Sequence, residues 1–256
     1  MQTFVKRRAD APPGFFAAEA AGLEWLAGAG SDAARVVRVR SVAPGRIELE
    51  RVDEARPDPD SARAFGRALA ATHDAGAAAF GAPPDGWTGP LFIGRRPLPA
   101  ASERSWGAFY ARDRVLPYLD PAIEAGNLRA YEAELVRAAC ARIAAGDFDD
   151  GDGPARLHGD LWNGNVLWSP EGVVLIDPAA HGGHRETDLA MLALFGCPFL
   201  DDVVAGYESR RPLRAGWRER VALHQMHPLA VHAAGHGRAY GVALAEAAGQ
   251  VIEIAA

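Results

Sequence analysis

At 256 residues and 49% hydrophobic, the chain has the material for one large domain or two lobes around a sizeable core. Its net charge of −6 and its lack of a basic tract exclude a nucleic-acid partner, and no apolar run reaches the roughly 18 residues of a membrane span. Charged residues at 23% and aromatics at 8% place it in the globular range and exclude a disordered class.

The start, MQTFVKRRAD, has no apolar targeting stretch. Cys140 and Cys197 lack CxxC or Cys/His spacing, so both are expected to be free thiols in a reducing cytoplasm. Residues 3–8, TFVKRR, alternate and read as a strand. Residues 11–30 follow as a helix: Phe16, Ala20, Leu23 and Leu26 keep helical spacing, and Gly28 or Gly30 closes it. Residues 34–52 give two short strands about a Pro44-Gly45 turn. The polar connector 54–60 places a boundary between a small lobe, 1–52, and a large lobe, 53–256.

Ser61 is the expected N-cap of a helix over 61–80, with Ala62, Phe65, Leu69 and His73 on one face. The Gly- and Pro-rich stretch 81–99 reads as a loop, 102–119 and 128–145 as helices, and the acidic stretch 146–155 as a solvated loop. That acidic stretch lacks the ligand spacing and terminal Glu of an EF-hand. Two short strands follow, then helices over 184–196 and most of 201–254. There is no internal repeat. The order is β-α-β-β and then a mainly helical lobe, an α+β chain.

The chemistry concentrates in LHGDLWNGNVLW (157–168) and VLIDPAAHGG (174–183). Phosphoryl transfer needs a carboxylate to orient the attacking hydroxyl, oxygen ligands to hold Mg²⁺ against the polyphosphate, and a cation on the phosphates. Asp160 and Asn165 have the Asp-x-x-x-x-Asn spacing of a kinase catalytic loop, in which the Asp accepts the hydroxyl proton and the Asn binds metal. The strand over 173–177 returns Asp177 to the same end of the cleft, where a carboxylate beside an amide oxygen suits Mg²⁺. The competing reading makes Asp160 and Asn165 turn formers and Asp177 a strand-end cap. The spacing, the glycines at 159 and 164 and the second strand together weigh against it.

The segment HGDLWNGNVLW…LIDPAAHGGHRETDLAML closely resembles the fructosamine kinase family, a branch of the aminoglycoside phosphotransferase and choline kinase-like superfamily. FVKRR, AEAAGL, LERV and GWTGPLFIG extend the resemblance over nearly the whole chain. It implies a protein-kinase-like two-lobed fold, and ATP- and Mg²⁺-dependent phosphorylation of the 3-hydroxyl of a ketoamine, an amine-linked sugar. In this frame the only lysine, Lys6, matches the kinase lysine that holds the phosphates, and Glu19 matches its acidic partner, with Glu24 as the fallback. IELERV (47–52) resembles the kinase hinge, so backbone groups near Glu50 and Val52 are expected at the adenine edge. Asp188 matches an acid that braces the catalytic loop, His158 is expected to pack beneath that loop, and Trp162 is a candidate to stack on the substrate.

Late histidines remain unassigned. His232 and His236 lie four apart but have no carboxylate partner pattern, so a zinc site is not expected, and His181 and His184 are read as solvated. The family frame also implies a glycine-rich loop ahead of the lysine strand. Here the sequence begins at that strand, so the small lobe is expected to be N-terminally truncated and to expose an edge strand. Two rival functions therefore stay open: phosphorylation of an aminoglycoside or choline, and a catalytically silent nucleotide-binding role. The sequence does not determine the oligomeric state.

Overall fold

The computed structural model describes residues 2–254; the outermost residues of the two expected lobes, 1 and 255–256, lie outside the described residues. Strand β1 (Thr3–Arg7) enters an antiparallel three-stranded sheet of order β1-β4-β3, with β3 at Val39–Ala43 and β4 at Arg46–Glu50. Lys6 pairs with Ile47 across β1 and β4. Alternation along β4 turns Ile47 and Leu49 inward, where both are buried. The β3–β4 turn is the expected Pro44-Gly45, and Gly45 supplies its positive φ of 68°. Among the described residues β1 pairs only with β4, and Phe4 on it is 55% exposed.

Helix α1 (Phe15–Ala27) buries Phe16, Ala20, Leu23 and Leu26, the face that the spacing predicts, and Gly28 follows as its C-cap. Glu19 shares the buried side of this helix at 8% exposure. The two-residue strand β2 (Arg35–Val36) leaves the small sheet. It pairs in parallel with β9 (Gly172–Leu175), which is itself antiparallel to β8 (Val166–Ser169). The N-terminal region is therefore joined by hydrogen bonds to the hairpin that lies between Asn165 and Asp177.

Helix α2 spans Pro59–Asp74, and its N-cap is Asp58 rather than Ser61. The Asp58 carboxylate accepts from the backbone N–H of Asp60 and Ser61, and Pro59 at the first helical position needs no acceptor. The helix ends at Asp74 instead of 80. Residues 81–99 are not all loop: β5 (Leu91–Ile93) and β6 (Arg96–Leu98) form a hairpin with Gly94 at the first turn position, φ 55°.

The expected helix over 102–119 is broken. It runs as α3 (Trp106–Phe109), a π-helical turn (Tyr110–Val115), a 3-10 turn (Leu116–Tyr118) and α4 (Leu119–Glu124). The break has a partner in α8 (Val221–Ala233), which contains Pro228. Proline has no N–H for the carbonyl four residues back, that of His224. The Tyr110 hydroxyl lies 2.9 Å from both the Leu223 and His224 carbonyls and accepts from the His227 N–H. The π-turn thus brings a side-chain donor to a helix that lost one of its own.

Helix α5 (Ala130–Ala144) leads to β7 (Ala155–Leu157), which pairs with β10 (His181–Gly183). The acidic stretch between them is not simply solvated. Asp150 meets His184 at 3.3 Å and Asp152 meets Arg185 at 2.6 Å. His181 and His184 are correspondingly buried, at 2% and 3%, because β10 pairs inward. Helix α6 (Glu186–Leu194) follows, then α7 (Leu200–Arg210), α8 and α9 (Arg238–Glu253). Helices α2 and α7 approach until backbones touch: a Cβ on Gly66 would stand 1.9 Å from the Val203 carbonyl oxygen. Gly66→Ala is therefore expected to force the two helices apart, and a loss of about 1–3 kcal/mol in urea unfolding is the check. Cys140 is buried, Cys197 is half-buried, and both are free thiols.

Candidate active site

The β8–β9 hairpin sets the site. Val166 pairs with Leu175, and one step beyond, the Ile176 N–H donates to the Asn165 carbonyl at 3.1 Å. Asn165 and Asp177 therefore leave the same end of the hairpin. Asp177 has φ 55°, one of only two non-glycine residues with positive φ among the described residues. A non-glycine residue held there costs about 1–3 kcal/mol and marks a backbone fixed by its surroundings.

Lys6 reaches across from β1. Its ammonium lies 2.8 and 2.9 Å from the two oxygens of Glu19 and 2.7 Å from Asp177 Oδ1. Burial works against its charge, but the two carboxylates outweigh that and raise its pKa. Glu24, the fallback partner, is not used. The Asn165 amide donates to the Asp160 carbonyl at 2.7 Å and to its carboxylate at 3.2 Å. Burial pushes Asp160 up to about 7; the Asn165 bond opposes this, and the nearby Asp177 and Asp188 charges add to it.

The loop rests on a buried carboxylate. Asp188, at the start of α6, is fully buried and accepts from the N–H of His158 at 2.8 Å and of Gly159 at 3.0 Å. It also meets His73 Nε2 at 3.2 Å, and the other nitrogen of His73 meets the Tyr207 hydroxyl at 2.8 Å. Burial opposes the Asp188 charge, but these donors hold its pKa below the usual carboxylate value. His158 lies beneath the loop: its Nδ1 accepts from the Asp160 N–H, so its Nε2–H donates to the Ile176 carbonyl. Burial lowers its pKa and keeps it neutral. Asp188→Ala leaves two backbone donors and His73 buried without an acceptor. A fall of about 3–5 kcal/mol in urea unfolding is expected, and a loss under about 1 kcal/mol contradicts the bracing role.

A cleft of about 220 Å³ is lined by Lys6, Glu19, Asp160, Trp162, Asn165 and Asp177, among others. Trp162 is 41% exposed, and its indole lies over Gly164, where a Cβ would stand 2.3 Å from the ring. Glu50 and Val52 lie instead in a neighbouring cavity of about 440 Å³, whose walls include Phe4, Val37, Leu49 and Leu167. Lys6 and Asp177 line both cavities. The result is an apolar slot, then an ammonium and carboxylate, then a carboxylate facing a half-exposed Trp. Phe92 and Gly94 of the β5–β6 hairpin also line the cleft, from the stretch read as loop. Their signal in the sequence was a three-residue apolar run ahead of a glycine turn, too short to separate from loop.

Elsewhere, His184, Glu186 and His224 bring ligand atoms within 4.8 Å of one another, as do Asp150, Asp152 and His184. Arg220 already holds Glu186 at 2.7 Å, and the rings of His184 and His224 stack at 24° with their centroids 4.8 Å apart. His232 and His236 are 5.1 Å apart, centroid to centroid, and pack with Phe195 and Tyr240.

The model of the family described as fructosamine kinase matches residues 1–253. A Thermus thermophilus protein named as a ketoamine kinase is 37% identical over 202 residues, which are 75% of this chain and 66% of that protein. A Thermobifida fusca crystal structure described as a fructosamine-3-kinase is 45% identical, with a TM-score of 0.91 over 98% of this chain and 86% of that one. The choline kinase LicA of Streptococcus pneumoniae, at 19% identity, shares the fold with a TM-score of 0.64 over 99% and 87% of the two chains. The mixed architecture, a small sheet over a mainly helical body, is thus the protein-kinase-like fold of these phosphotransferases. With the family model matching nearly end to end, the chain belongs to the fructosamine kinase family.

Proposed function

We propose that the protein transfers the γ-phosphoryl group of ATP to the 3-hydroxyl of a ketoamine in the cytoplasm. The observation that carries this reading is the meeting of Lys6, Asp160, Asn165 and Asp177 in one cleft that opens on an apolar slot. The described residues up to 52 then form the lobe that grips the nucleotide, and those from 53 onward the lobe that holds the acceptor. Adenine occupies the slot between Leu49 and Leu167, with backbone groups near Glu50 and Val52 along its edge. Lys6, steadied by Glu19, takes the phosphates. Asp160 accepts the hydroxyl proton and orients the oxygen for in-line attack, and orientation is its larger contribution. Trp162 offers its free face to the sugar or amine.

The residues present fit Mg²⁺. The Asn165 NH₂ group is committed to Asp160, which leaves the amide oxygen, and Asp177 has a second carboxylate oxygen beyond its bond to Lys6. These are hard oxygen donors of the kind Mg²⁺ prefers. Bound by Asn165 and Asp177, the ion would neutralise charge on the polyphosphate.

The pKa of Asp160 gives a test. Only the ionised carboxylate accepts a proton, so kcat/KM should rise with pH, with unit slope below about 7 and a plateau above. A flat profile between about pH 6 and 8 removes Asp160 from the role. Acceptor choice is tested with a panel of a synthetic ketoamine, an aminoglycoside and choline, each with labelled ATP. Label transfer to the ketoamine alone supports the proposal, and transfer to either other acceptor but not the ketoamine overturns it.

A further inference from the structure

Asp177 sits in the left-handed region and is followed by Pro178, which drives the residue before it toward extended backbone. Something on each side must hold it. Upstream, His158 grips the Ile176 carbonyl at 2.9 Å. Downstream, the His181 ring meets the Ala179 carbonyl through Nδ1 at 2.7 Å. The Nε2 of His181 faces Arg114 Nε at 3.2 Å; the guanidinium only donates, so Nε2 accepts and Nδ1 carries the proton to Ala179. The same Ala179 carbonyl abuts Gly159 of the catalytic loop, where a Cβ would stand 2.3 Å from it.

Arg114 is the unusual member. It is 1% exposed, and among the described residues no carboxylate forms a salt bridge with it. Its Nη1 donates to the Pro99 and Asp113 carbonyls at 2.7 and 3.0 Å, the guanidinium lies 4.5 Å over the Phe109 ring, and Nη2 has no partner. The nearby Asp113 charge favours it, but the Asp113 oxygens are held by Arg112, and a buried cation with no carboxylate bonded to it weakens the fold relative to a hydrophobe of its size. Its directed contact toward the site is the bond to His181.

We propose that Arg114 and His181 form a clamp that holds Asp177 in its left-handed conformation. They are positioning residues: Arg114 fixes the tautomer of His181, and His181 fixes the chain just after Asp177. The proposal rests on the reading of Asp177 as a residue that holds Mg²⁺ with the nucleotide.

His181→Phe keeps the shape of the ring and removes both bonds. His181→Asn keeps an amide donor near the position of Nδ1. Both variants are compared with the parent by calorimetry of Mg²⁺ binding at saturating ATP without acceptor, of ATP binding without metal, and by kcat. The Phe variant is expected to lose about 10–100-fold in Mg²⁺ affinity while metal-free ATP affinity stays within about twofold, and the Asn variant to recover most of the loss. Equal Mg²⁺ affinity in the Phe variant and the parent overturns the clamp, as does an equal loss in the Phe and Asn variants. If His181→Phe does not fold, Arg114→Lys against Arg114→Met gives the same contrast, because only lysine can still donate to His181 Nε2. Mg²⁺ binding is read without acceptor, so an absence of ketoamine turnover in the parent would defeat the functional reading and leave this comparison standing.

Discussion

Asp160→Asn is expected to lower kcat by about 10²–10⁴-fold and to leave ATP affinity within about threefold. Asparagine fills the same space and can still meet the Asn165 amide through its carbonyl oxygen, but it cannot take the hydroxyl proton. A second consequence comes from burial. The pKa of Asp160 is about 7 in the folded chain, above its ordinary value of 3.8, so the native state binds more protons than the unfolded state between those limits. Its contribution to stability is complete below about pH 4 and is lost as the pH rises through about 7. The Asn variant should therefore melt at a higher temperature than the parent at about pH 8, with the difference fading on acidification. Lost turnover together with gained stability is the signature of a carboxylate placed for chemistry at the expense of the fold. Undiminished turnover removes the role, and a melting temperature below the parent's at pH 8 removes the burial argument.

Lys6→Met should have the next largest effect. The ammonium bonds Glu19 through both oxygens and Asp177 through one, and Glu19 is 8% exposed. On the proposed reading, removing it takes a preorganised cation from the phosphates, for which a loss of about 10²–10³-fold in kcat/KM for ATP is expected. It also leaves two carboxylates facing each other across a half-buried gap. The variant should be less stable than the parent at neutral pH and recover on acidification as Glu19 takes up a proton. Lys6→Arg should not rescue activity, because the planar fork does not reproduce a compact charge held between three oxygens. Activity within about threefold of the parent in Lys6→Met would show that the phosphates are held elsewhere.

These two residues also show what the sequence made legible. The Asp160–Asn165 loop and the β8–β9 hairpin are local: the Asp160–Asn165 spacing, Gly164 and the return strand lie within 18 residues, 160–177. Lys6 and Glu19 are 13 apart on a strand and the following helix, so their placement needed only one connection. What escaped was set by distant partners. The helix break at Tyr110–Val115 answers a proline more than a hundred residues later. His181 and His184 carry no mark of burial in a segment rich in glycine, and their burial follows from the pairing of β10 with β7 and from Asp150. His73 looked like one position on an apolar face, yet it supports Asp188 from a helix 115 residues away in sequence. Arg114 was one arginine among many, distinguished only once its surroundings were in place. Ser61 lost the capping position to Asp58 because both have suitable side chains and the proline at 59 decides between them.

The most direct measurement is ³¹P NMR of the protein with ATP, Mg²⁺ and a synthetic ketoamine. A sugar 3-phosphate resonance growing in step with ADP, and absent with Asp160→Asn, is the expected result. Formation of ADP and inorganic phosphate alone, or an unchanged ATP spectrum from protein shown to bind the nucleotide, would contradict the assignment of this cleft to phosphoryl transfer onto a ketoamine.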